Sequence, residues 1–131
     1  MKYLTPFRVI SSTFMSSGNG SQRATLAYDD MITIIKTLLS AIEVDDAWYT
    51  RAYPDVALAI ARGEYGSAQE HFAEHGYFEG RQPYAFEVDE DWYLAQYADV
   101  AEGLENGDFD SATEHFNMHG YNEGRRPNSQ A

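Results

Sequence analysis

The chain has no cysteine among its 131 residues. Disulfides, thiolate nucleophiles and cysteine-ligated zinc are therefore excluded. It is also poor in positive charge, with nine Lys and Arg against 21 Asp and Glu and a net charge of −12. A protein that neutralises phosphates needs the opposite balance, so nucleic acid and anionic membrane surfaces are not expected partners. No run of about 18 apolar residues occurs, so no membrane insertion is expected. Met1–Ile10 (MKYLTPFRVI) lacks the unbroken apolar stretch and cleavage site of a secretory signal, because Pro6 and Arg8 interrupt it. The expectation is a cytoplasmic protein, with export lacking an N-terminal signal as the alternative.

Apolar residues make up 44% of the chain and aromatics 15%, enough to build a core. Their order is the informative part. Val44–Pro83 and Val88–Pro127 align without a gap at a spacing of 44 residues, with 21 of 40 positions identical. The shared letters are W-Y-x-x-x-Y, D-V-A and S-A-x-E-H-F-x-x-H-G-Y-x-E-G-R-x-P. Residues 44–87 carry a net charge of −5 and residues 88–131 one of −8, so the acidity belongs to these copies.

Each copy predicts three short helices. Asp45 and Asp89 are placed to cap the first, which carries Trp48-Tyr49 or Trp92-Tyr93. Val44 with Tyr49, and Val88 with Tyr93, have hydrophobic-staple spacing. Pro54 suits the first position of the second helix, with Asp55 in the turn the helix dipole favours, and Gly63 and Gly107 stop it. Ser67-Ala68-Gln69-Glu70 and Ser111-Ala112-Thr113-Glu114 are capping boxes that start the third. Gly76 and Gly120 are expected to end it in a left-handed conformation, and E-G-R-x-P then turns the chain. A unit of about 40 residues does not bury a face this aromatic alone, so the copies are expected to stack. The fold class is all-α: two tandem three-helix repeats, 44–87 and 88–131, behind an N-terminal amphipathic helix.

That helix is expected over residues 24–43, where Met31, Ile34, Ile35, Leu38, Leu39 and Ile42 form one apolar stripe. It either caps the repeat array or pairs with a second copy of the chain. Because two repeats are fewer than such arrays usually need, a homo-oligomer is expected. Residues 1–23 are expected to form a flexible segment, with Ser11–Arg23 rich in Ser and Gly. Phe7–Ile10 is either a short strand or unordered.

Four histidines carry the most tempting chemistry: His71 and His75, then His115 and His119. An i, i+4 pair can reach one Zn²⁺, and His71-Phe72-Ala73-Glu74-His75 spells H-x-x-E-H, in which the Glu would activate a metal-bound water. The second copy has Met118 in place of that base, and the predicted helix is too short to resemble a zincin helix. The reading preferred is structural, with His75 and His119 bonding helix-end carbonyls, no cofactor and no catalytic residue. Arg81 and Arg125 are expected to fix the turn between units by pairing with an acidic group or a carbonyl. Trp48, Tyr49, Tyr53, Trp92, Tyr93 and Tyr97 are expected to be repeat-core positions. The alternative makes the Trp-Tyr pairs platforms for sugar rings, and a further alternative is a His-based metal-binding protein.

Residues 44–127 resemble a bacterial repeat module written W-Y-L-x-x-Y-P-D-V-A…S-A-x-x-H-[FY]-x-x-x-G-x-x-E-G-R-x-P. The resemblance is carried by Trp48-Tyr49, Tyr53-Pro54-Asp55-Val56-Ala57, Ser67-Ala68, His71-Phe72, Gly76 and Glu79-Gly80-Arg81-x-Pro83. The first copy departs from it at Thr50 and the second at Ala98. Similar stretches lie beside glycosyltransferase-like, sulfotransferase-like or secreted calcium-binding segments in proteobacterial proteins. The resemblance implies a non-catalytic, accessory role near surface polysaccharide, with a protein partner or a second copy of the chain and possible contact with polysaccharide.

Overall fold

The computed structural model describes residues 15–18 and 21–131, and the main-chain course alone through Ala24. The readings made for Met1–Ile10 and for Phe7–Ile10 lie outside them. Two compact units divide the chain, Met1–Ala41 and Ile42–Ala131.

In the first unit the stretch expected to be a flexible linker carries an antiparallel ribbon, β1 (Met15–Gly18) with β2 (Ser21–Ala24). Its register sets Gly18 against Ser21. Helix α1 spans Tyr28–Leu39, starting four residues later than expected. Asp29 and Asp30 sit in its first turn and Lys36 in its last, as the dipole favours. Thr33, Thr37 and Ser40 each donate a hydroxyl hydrogen bond back to a carbonyl one turn earlier. Ile42 falls beyond the helix end, so it does not belong to the helical stripe.

The second unit is helical throughout, in the all-α class. Its helices are α2 (Asp46–Ala52), α3 (Pro54–Ala61), α4 (Ala68–His71), α5 (Glu90–Gln96), α6 (Ala98–Asn106) and α7 (Ala112–His115). Local signals start them. Asp45 accepts from the Trp48 N–H at 2.9 Å and Asp89 from the Trp92 N–H at 3.0 Å. Ser67 and Ser111 accept from the Glu70 and Glu114 N–H groups. The reciprocal half of each box shifts by one residue, since Glu70 accepts from Gly66 and Glu114 from Asp110. Gly63 and Gly107 stop α3 and α6 with φ of +75° and +80°, where a side chain would be strained.

Within each copy the three helices pack on one another: α2 with α3 and α4, α5 with α6 and α7. Tyr49, Val56, Ala68 and Phe72 are buried in the first copy, and Tyr93, Val100, Ala112 and Phe116 form one cluster in the second. Burying a large side chain of this kind contributes about 1.5–3 kcal/mol. Each copy covers its own central tyrosine with its own third helix. Side chains after the first copy's third helix carry much of the contact between copies. Phe86 lies edge-on to Phe116 at 5.8 Å and beside Tyr121 at 5.3 Å. Gln82 donates through Nε2 to Asn117 Oδ1 at 3.3 Å. Each copy is also closed end to end, as the Asp45 N–H donates to the Pro83 carbonyl and the Asp89 N–H to that of Pro127.

The third helical segment ends at the expected glycine in each copy, but not in a left-handed conformation. After His71 and His115 it widens into π-helical turns, Phe72–Gly76 and Phe116–Gly120. The left-handed glycines are instead Gly80 and Gly124, at φ +76° and +74°.

Candidate functional site

The wider turn has a geometric consequence. On an α-helix, residues five apart point about 140° away from each other. Here His71 and Gly76 both face the Tyr49 hydroxyl. Tyr49 Oη and His71 Nδ1 share a hydrogen bond of 3.0 Å, and a Cβ on Gly76 would collide with that same oxygen. Tyr93, His115 and Gly120 repeat the arrangement, with a bond of 3.1 Å. Glycine is needed here for close approach rather than for backbone freedom. Burial lowers the pKa of His71 and His115 from the ordinary 6.5, with Arg81 and Arg125 adding to the effect, so both imidazoles are neutral near pH 7. Burial raises the Tyr49 hydroxyl pKa and pushes that of Tyr93 up to about 12.

Arg81 is the second construction. It bonds Asp55 with both terminal nitrogens, at 2.9 and 2.8 Å, and Glu79 through Nε at 2.7 Å. Its guanidinium lies 4.9 Å from the centre of the Tyr53 ring. The Tyr53 hydroxyl in turn accepts from the Gln82 N–H at 2.9 Å. Arg125 makes the matching set with Asp99, Glu123 and Tyr97, and Tyr97 accepts from the Arg126 N–H. The guanidinium hydrogen bonds hold Asp55 and Asp99 below the usual carboxylate range. A planar fork gripping one carboxylate while stacked on a ring ties the end of each copy to the start of its second helix.

The remaining candidates are placed as follows. His75 and His119 pack edge-on to Tyr65 and Phe109 at 5.7 Å each, rather than bonding helix-end carbonyls. The His71 and His75 ring centres lie 6.1 Å apart, and among the described residues no three His, Asp or Glu gather to hold a metal. Trp48 and Trp92 are half-buried and stand perpendicular to Tyr53 and Tyr97, and Arg126 covers Trp92 at 5.4 Å. Of the apolar stripe, Met31 and Leu38 are exposed, Ile34 and Ile35 half-buried and Leu39 buried, and Ile42 beyond the helix is exposed. No helix among the described residues is long and apolar enough to cross a membrane.

Sequence reasoning passed over another surface. An open cleft of about 440 Å³ lies between the copies, lined by Tyr77, Phe78, Gly80, Tyr121, Asn122 and Gly124. Tyr77 and Phe78 are 44% and 41% exposed and meet edge to face at 5.5 Å. Tyr121 is braced by Phe86 and Phe116. Phe78 and Asn122 are a position at which the copies differ, which is why a reading built on shared letters discards it.

Glu90 was also missed. Its carboxylate accepts from the Ala112 and Thr113 N–H groups at 2.9 and 3.0 Å, and from the Thr113 hydroxyl. It therefore caps α7 from another helix. Partial burial raises its pKa, but these bonds outweigh that and leave it lowered. Compared with family models, with curated proteins and with solved structures, the chain matches none.

Proposed function

We propose that the chain is a non-catalytic interaction and scaffolding module that associates with a second copy of itself. One observation carries this reading. The recurring polar groups that would be candidates for chemistry, His71, Tyr49, Arg81 and Asp55 with their counterparts, are engaged by partners within their own copy. A catalytic group needs its reacting atom within reach of a substrate, whereas the Tyr49–His71 and Tyr93–His115 pairs are buried. What is left to interact is surface: an acidic exterior and the exposed apolar residues Met31, Leu38 and Ile42. Tandem helical units displaying a rigid face suit a scaffold, and the resemblance to the bacterial repeat module supports a role for it beside surface-polysaccharide machinery.

The experiment is a mass measurement by light scattering or sedimentation on the full chain and on a Met31→Glu/Leu38→Glu variant. The parent is expected as a dimer that the double substitution dissociates. A parent that stays monomeric at high concentration overturns self-association.

A further inference from the structure

We infer that the cleft between Tyr77-Phe78 of the first copy and Tyr121-Asn122 of the second binds a neutral oligosaccharide. The inference extends the interaction reading to a ligand class, but uses none of the residues assigned to self-association.

Four features carry it. First, Tyr77 and Phe78 leave over two fifths of their surface in water and pack on each other, and such rings mark binding surfaces when they cluster. The C–H faces of a sugar ring fit flat aromatic faces. Second, the lining contains no charged side chain. It offers a carboxamide and phenol hydroxyls, and those of Tyr77 and Tyr121 make no hydrogen bond to the described residues. A ligand dense in hydroxyls satisfies such groups while its ring faces cover the aromatics. Third, Asn122 sits close against the opposite copy. Its amide lies over the bare backbone of Gly80, where a Cβ would strike it. The carboxamide of one copy and the aromatic rings of the other therefore line the same cleft. Fourth, the surrounding copies are strongly acidic, so anionic glycans and phosphorylated ligands are repelled. An apolar peptide side chain would require an enclosed pocket, and this cleft is open.

The test screens the full chain on an array of neutral and anionic glycans. It then follows backbone amide resonances during titration with the best neutral hexasaccharide and with a polyuronate hexamer as control. Shifts are expected with the neutral ligand, centred on residues 77–80 and 121–124. Affinity should fall about tenfold in Phe78→Ala, and by less in Asn122→Ala, with circular dichroism unchanged because both side chains are exposed. Four outcomes would each overturn the inference: no neutral glycan bound, an equal response to the polyuronate, shifts centred elsewhere, or undiminished affinity in Phe78→Ala. Because Met31 and Leu38 stay intact in these variants, the mass of the chain tests self-association separately, and a parent dimer that binds no neutral glycan overturns this inference alone.

Discussion

The Tyr49 hydroxyl and His71 Nδ1 meet at 3.0 Å across 22 residues of chain, in a place where neither group has water to fall back on. The same pair, Tyr93 and His115, recurs in the second copy with the same sequence separation. In both, the space for the hydroxyl exists because a glycine stands opposite.

Removing the hydroxyl with Tyr49→Phe leaves a buried imidazole nitrogen unpaired and is expected to cost about 1–3 kcal/mol. Gly76→Ala is expected to cost at least as much, since the new methyl strikes the tyrosine oxygen. Combined, the two should be less damaging than their sum, because removing the oxygen opens room for the methyl. Urea denaturation of the two single variants and the double variant measures this. Strict additivity would contradict the geometry.

Acidification is expected to destabilise the protein in two stages. The buried imidazoles of His71 and His115 titrate below 6.5, so below that pH the unfolded chain binds protons that the folded chain refuses. Their contribution is complete above 6.5 and is lost as pH falls from there through their folded values. Asp55 and Asp99, held low by Arg81 and Arg125, add a second loss below their ordinary 3.8. Urea midpoints should be lower at about pH 5 than at about pH 7.5, and the imidazole C–H resonances of two histidines should titrate below the usual range. Equal midpoints would show that these imidazoles are solvated.

Arg81→Lys keeps the charge but loses the two-pronged grip on Asp55 and the stacking on Tyr53. Because the Asp55 side chain is 63% exposed, the expected loss is held to about 1 kcal/mol by solvent screening. Thermal melts of Arg81→Lys and Arg81→Met read the two components. A lysine variant as stable as the parent would mean that charge alone matters.

Gln82 is only 4% exposed, and its Oε1 has no hydrogen-bond partner among the described residues. Gln82→Met keeps the length, removes that orphaned acceptor and gives up one long bond to Asn117. It is expected to be neutral or stabilising by up to about 1 kcal/mol. A marked loss of stability on denaturation would show that the carboxamide is fully satisfied.

Glu90→Ala should free the N–H groups of Ala112 and Thr113 and cost about 1–2 kcal/mol, as the loss of a helix cap does. Amide exchange at these two positions is expected to quicken more than in α5. Unchanged exchange there would show that another group does the capping.

Much of the local structure could be read from the amino-acid order. The caps at Asp45, Asp89, Ser67 and Ser111, the start at Pro54 and the stops at Gly63 and Gly107 each involve groups within a few residues of one another. Local order in the chain is enough to determine such contacts. Tertiary packing alone decided the rest. Gly76 could have served as a left-handed stop, and only Tyr49, folded back from 27 residues earlier, makes it a point of close approach. The sequence leaves the tryptophans free to stand open, and only the tertiary structure sets them perpendicular to Tyr53 and Tyr97 and half-buries them. The cleft of Tyr77, Phe78, Tyr121 and Asn122 belongs to neither copy alone. It arises where the same stretch of two 44-residue neighbours meets, and only the packing of the copies decides that these stretches face each other.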